Sequence, residues 1–242
     1  METYYTTYVC VDDSMDSTLD AKTSDIAEHL KVLHSLVSTA LVQVMKAFED
    51  IDVELAAEAG TVSDRSEELH HLVEGLVFDA VSKHQPEDLN LRRLIAYRNT
   101  SDCLHKIGRY AKKIVEIVEQ CEGLDHFKEL VSIPYLTELA NTAIDVSMRA
   151  LLEADLSEID ELEKLEAQSD REAADMFEEI AGYLNRRRDV SELAMYYVIV
   201  GRYCERAADQ AIIIAESASY MITGDRVKLG LAYEGESASL LD

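Results

Sequence analysis

Helix breakers and positive charge are both scarce in this chain. Its 242 residues include 2 Pro, 9 Gly and no Trp, and 23 Lys and Arg stand against 48 Asp and Glu. So few breakers, with abundant Ala, Leu, Glu and Asp, exclude a turn-rich β architecture and favour long helices. No apolar run of 18 or more residues occurs, so no transmembrane helix and no direct membrane insertion is expected. The N-terminus lacks a basic region followed by an apolar core, so it does not read as a secretory signal. The formal net charge of −25 opposes direct binding to nucleic acid, itself a polyanion, and to anionic lipid. The four cysteines, Cys10, Cys103, Cys121 and Cys204, form no CxxC pair and suit a reducing cytoplasm. No nucleophile constellation, P-loop or dinucleotide fingerprint is present.

What is there is helical periodicity. Residues 1–19 carry no helical period and read as a flexible tail. Ile26, Leu30, Leu33, Val37, Leu41, Val44 and Phe48 then form one apolar stripe in steps of three and four, as a core-facing helix requires. Six helical segments follow from this pattern and its breaks, at about 21–48, up to 83, 87–121, 134–153, 157–184 and 191–223. Asp50-Ile51-Asp52 and Asp155-Leu156-Ser157 are short turns, because Asp favours caps and turns. Gln85-Pro86 and Asn185-Arg186-Arg187-Arg188 are breaks. Residues from Val227 onward read as a second loose tail.

The first three segments and the last three follow one plan: helix, acidic turn, helix, break, long helix. Short connections make neighbouring helices antiparallel. The expected fold is therefore all-α, with two antiparallel three-helix bundles, residues 20–123 and 124–226, related by a pseudo-twofold. A continuous six-helix bundle is the alternative arrangement.

Glu205 and Asp209 sit four apart on the sixth segment, and Glu166 and Asp170 four apart on the fifth. Such pairs share one helix face. Tyr196, Val200, Tyr203, Ala207, Ala211 and Ile214 mark the core stripe of the sixth segment, and residue 205 lies about 200° from residue 207 at 100° per residue. The acids therefore belong to solvent or to a groove beside the fifth segment. Four carboxylates on two adjacent helices suit hard cations such as iron, manganese, magnesium or calcium. A solvated acidic face is the plainer reading of the same residues. Asp64 and Glu68 offer a weaker pair in the first half. Glu67-Glu68-Leu69-His70-His71 contains Glu-x-x-His spacings, but without a second such motif on another helix it reads as a polar face. Arg186-Arg187-Arg188 reads as a cap on the fifth helix. The isolated Gly75, Gly108, Gly182 and Gly201 read as sites of close helix packing.

These motifs together resemble the PhoU family. Gln85-Pro86 is followed, after three residues, by Asn90-Leu91-Arg92, where the family has Asp-Leu-Arg. Glu205-Arg206-Ala207-Ala208-Asp209 matches the family's Glu-Arg-hydrophobic-small-Asp signature, with Glu166 and Asp170 facing it. The resemblance covers about residues 22–226. It implies a cytoplasmic regulator of phosphate uptake that catalyses no reaction. Such a protein contacts a phosphate ABC transporter and its sensor kinase, commonly as a homodimer, and its acids can carry iron, zinc, manganese or magnesium. Arg206 is then a structural ion-pair partner. In the first half the signature positions are His105 and Arg109. Arginine has no lone pair for a metal, so a site there is expected to be lost or weakened. Rival readings are a regulatory subunit of a potassium transporter, a carboxylate-bridged di-iron enzyme, and a helical scaffold whose acids only solvate it.

Overall fold

A computed structural model of the chain describes residues 13–230, and side chains from residue 17. Among them are six long helices and one short 3-10 turn. They are α1 (Asp13–Asp50), α2 (Val53–His84), α3 (Asp88–Gln120), α4 (Ser132–Glu153), α5 (Ile159–Arg186) and α6 (Ser191–Thr223). The chain is all-α, as its composition requires. α1 packs on α2 and α3, and α4 on α5 and α6; α3 lies against α6, and α1 more lightly against α4. The two three-helix units thus share one interior.

Both acidic turns are present. α2 begins at Asp52, whose side chain accepts from the Leu55 amide at 3.0 Å and satisfies one of the orphan donors of the first turn. α1 and α4 end the same way, on left-handed residues: Ile51 (φ 49°) and Ala154 (φ 54°). Neither is glycine, so each turn holds a conformation that L residues adopt at a cost of roughly 1–2 kcal/mol. Asp155 then accepts from the Ser157 amide at 2.9 Å.

The predicted apolar stripe of α1 is the core: Ile26, Leu30, Leu33, Val37, Leu41, Val44 and Phe48 are all buried. Each such aliphatic side chain contributes about 1.5–3 kcal/mol by leaving water. Phe48 also joins the halves. It meets Tyr197 of α6 and His126 of the α3–α4 connection edge-on, at 5.8 and 5.7 Å. His126 Nε2 donates to the Phe48 carbonyl at 3.0 Å, and Tyr197 completes the link at Nδ1, 2.6 Å away. A carbonyl only accepts, which fixes the proton on Nε2. Arg92, from the Gln-Pro…Asn-Leu-Arg motif, donates to the Met221 carbonyl at 3.3 Å and so caps the far end of α6.

Four expectations change. α1 begins at Asp13, before the predicted 21, and Leu19 is already buried; residues 1–12 of the predicted tail lie outside the described residues. The second tail is not loose over 227–230, because the Leu229 amide donates to Glu216 at 3.0 Å; residues 231–242 lie outside the described residues. The Glu67–His71 face is not wholly polar: His70 is buried against Ser101, while Glu67, Glu68 and His71 are exposed. Among the isolated glycines, Gly108 and Gly201 do meet a facing helix, at Ser66 and Met176, whereas Gly75 has open space and Gly182 faces only Arg186.

Candidate metal centre

In the second half, α5 and α6 carry the acids and place them in one seam. α5 buries Leu162, Glu166, Ser169, Met176 and Ile180, a stripe in steps of three and four. Glu166 is on that stripe and only 7% exposed. Asp170, one turn on, stands at its edge. On α6 the buried residues Cys204, Ala207, Ala208 and Ala211 flank Asp209, which is partly buried. Small residues there let the two backbones approach. Carboxylate oxygens of Glu166, Asp170 and Asp209 consequently lie within 4.8 Å of one another.

Glu205 is one turn from Asp209 but is held by Arg202 in an ion pair. It lines, with Asp170 and Arg202, an open groove of about 430 Å³ between α5 and α6; Met176, Phe177 and Val198 form its apolar walls. The predicted quartet is therefore a close trio with Glu205 at its edge. The cation on Glu205 is Arg202, not the signature arginine. Arg206 is exposed and acts on Asp209 only through space. Burial pushes the Asp209 carboxyl above its ordinary range, and the Glu205 charge adds to this, against the opposing pull of Arg202 and Arg206. A carboxylate raised in this way is one whose ionised form lacks compensation. The described chain crosses the site at Gly230 (φ 71°), where a Cβ would stand 3.1 Å from Glu166 Oε1. Glycine suits both the left-handed angle and the close approach.

The donor set fits a hard divalent or trivalent cation. It is all carboxylate, closely spaced, and partly withdrawn from water. Such an ion would offset the burial of Asp209 and the repulsion from Glu205 that together raise it.

In the first half the weaker pair is not in the corresponding place. α2 buries Ala59, Ser63, Ser66, Val73 and Val77, at the spacing of Leu162, Glu166, Ser169, Met176 and Ile180 on α5. The counterparts of Glu166 and Asp170 are thus Ser63 and Glu67. Asp64 and Glu68, one residue further on, point outward, and Asp64 pairs with Lys112. A 100° step per residue makes such a slip invisible to spacing alone. Ser63 donates to the Gly108 carbonyl, and His105 stacks on His70, ring centroids 5.0 Å apart and 9° from parallel. Burial pushes both imidazoles below the ordinary histidine value. Here the seam is filled by neutral rings and hydroxyls.

Arg186 and Arg187 behave as a cap. Arg186 donates to the Gly182 carbonyl at 2.9 Å and lies over the Tyr183 ring, and Arg187 pairs with Asp189.

Six helices in two like units, joined along α3 and α6, with an acid seam in one unit, are the architecture of a PhoU-type protein. The PhoU domain model matches twice, over residues 30–118 and 133–218, and the chain belongs to that family. A phosphate-specific transport system accessory protein PhoU homolog of Clostridium acetobutylicum is 24% identical over 212 residues, covering 85% of this chain and 96% of its own. The PhoU homolog 1 of Thermotoga maritima is 24% identical over 199 residues, 80% of this chain and 84% of its own. The crystal structure of PhoU from Pseudomonas aeruginosa superposes with a TM-score of 0.80 at 22% identity, over 85% of this chain and 99% of that one. The phosphate transport system regulatory protein PhoU from Streptococcus pneumoniae gives 0.80 at 18%, over 87% and 100%.

Proposed function

We propose that this chain is a regulator of phosphate uptake. The observation that carries this reading is the twofold match to the PhoU domain across both halves, with full-length relatives named as accessory proteins of phosphate-specific transport. It acts in the cytoplasm by contact, on the ATPase of a phosphate ABC transporter and on a sensor kinase where one exists, and restrains transport when phosphate is ample. It catalyses no reaction, and it works as a homodimer. A helical surface with an acid seam, among the described residues, supports an adaptor. No described helix is long and apolar enough to cross a membrane.

Glu166, Asp170 and Asp209 hold iron, manganese, magnesium or zinc, with Glu205 at the rim. The ion stiffens the α5–α6 seam of a protein that signals by its shape. A di-iron oxidase is disfavoured because the trio comes from two helices only, with Asp170 at the edge of an open groove.

Deletion of the gene is the test. Phosphate accumulation should become insensitive to supply. Accumulation that still follows supply as it does in the parent strain, with altered potassium uptake instead, would sink the phosphate reading in favour of a cation transporter. Elemental analysis of the purified protein beside a Glu166→Gln/Asp209→Asn variant tests the metal separately.

A further inference from the structure

α1 and α4 touch only lightly and leave between them a groove of about 630 Å³. Its floor is apolar, made by Val42, Met45 and Pro134, and Val42 is 57% exposed. The groove continues past Asp145 into a second depression of about 330 Å³ reaching Lys31 and Glu153. The residues from Lys31 to Asp50 on α1 span roughly 28 Å at 1.5 Å per residue, enough for about five helical turns.

The rim is one-sided in charge. Glu49, Asp50, Glu138 and Asp145 line the larger depression with Lys46 as the opposing cation. Asp145 contacts His34 at 2.8 Å, while no ion pair of Glu49, Asp50 or Glu138 is found among the described residues. The cations at the other end are already engaged, Lys31 with Glu28 and Arg149 with Glu158. On the lining of the larger depression the Asn141 side-chain carbonyl is buried without a hydrogen-bond partner.

We propose that the α1–α4 groove docks a cationic amphipathic helix of a partner protein. The helix lays its apolar face on Val42, Met45 and Pro134 and sets Lys or Arg against Glu49, Asp50 and Glu138, the helix-in-groove mode of recognition. A second copy of this chain is the poorer occupant, because a twofold contact would set the same acids against themselves. An anionic membrane is repelled. The inference rests on the reading of the chain as a protein that regulates by contact. It is tested on purified protein, so it fails or holds independently of any phosphate phenotype.

The probe is a fluorescein-labelled peptide of roughly 18 residues, about 27 Å as a helix, with Leu at helical i, i+3, i+4, i+7 spacing and Lys beside the stripe. A scrambled peptide of the same composition controls for bulk charge. By anisotropy the patterned peptide should bind at least about tenfold more tightly than the scrambled one. Glu49→Lys/Glu138→Lys should weaken it by about tenfold or more, whereas Glu119→Lys/Glu122→Lys, with the same change in net charge on exposed positions of α3 and its C-terminal turn, should change it less than about twofold. Circular dichroism confirms that both variants fold. Equal binding of the scrambled peptide, or equal weakening by the two charge reversals, overturns the proposal. So does a dimer that Val42→Glu converts to monomer in light scattering, since a second copy would then cover the groove.

Discussion

The two halves of this molecule share a plan down to the residue at which each first helix ends, Ile51 in one and Ala154 in the other. They have nevertheless filled the same seam with different chemistry. Between α5 and α6 stand three carboxylates, one of them buried and one raised in pKa by its surroundings. Between α2 and α3 stand Ser63, Ser66, His70 and His105, hydrogen-bonded or stacked, with Arg109 exposed where the other half has Asp209. A helix pair tolerates either filling because the buried positions keep the same spacing in both halves. Burial and the Glu205 charge disfavour the ionised form of Asp209, and a cation there would offset both; no such acid trio stands in the histidine seam among the described residues.

The largest test of this contrast is metal-linked stability. Mn²⁺ at about a hundred times its dissociation constant should stabilise the protein by about 2.7 kcal/mol. Calorimetry should show that gain lost in Asp209→Asn and kept in His105→Ala. Loss in His105→Ala as well would mean that the two seams are not independent.

Next is packing. Gly108→Ala should destabilise by about 1–3 kcal/mol in chemical denaturation, because the new methyl meets both Ser66 Oγ and its stiffer Cβ. Gly201→Ala meets only the flexible end of Met176 at close range and should change stability by less than about 1 kcal/mol.

Acid should separate the halves in opposite directions. His70 and His105 have folded pKa values below their unfolded value, so their contribution is present above about pH 6.5 and is lost as pH falls through the folded values. Asp209 is shifted upward, so its penalty is felt at neutral pH and disappears as pH falls toward the unfolded value near 3.9. Hydrogen exchange at pH 5 against pH 7 should show α2–α3 losing protection relative to α5–α6. In metal-free protein, Asp209→Asn should raise the melting temperature at pH 7, and the gain should vanish near pH 4.

The smallest effect concerns the shared turn. Ala154→Gly should stabilise by about 0.5–1 kcal/mol, since glycine holds the left-handed angle without strain. Ile51→Gly should gain less or lose, because Ile51 also packs against the core.

Much of this was legible in the chain. The α1 stripe from Ile26 to Phe48, the two acidic turns and the Gln85-Pro86 break follow from period, capping and spacing, while the meeting of Glu166 and Asp170 with Asp209 was implied by the family resemblance, which also placed Glu205 among them. The first-half pair was misplaced by one residue, onto Asp64 and Glu68, because both Glu67 and Glu68 are acids and spacing cannot choose between them. Arg202 was missed as the partner of Glu205, since an i, i+3 pair competes with the nearer signature arginine. The partial burial of Asp209 could not be read from a position off the core stripe, because it depends on how closely α5 approaches.

The sequence by itself determined the helices, their number and order, the twofold plan and the loss of the acid signature in the first half. These are local properties, written in steps of three and four and in the residues that stop a helix. Tertiary structure alone decided which carboxylates meet, which cation holds Glu205, how Tyr197 and His126 lock the halves together, and that α1 and α4 leave a groove between them. Those depend on the distance and rotation between helices far apart in the chain, which close packing of the whole core sets.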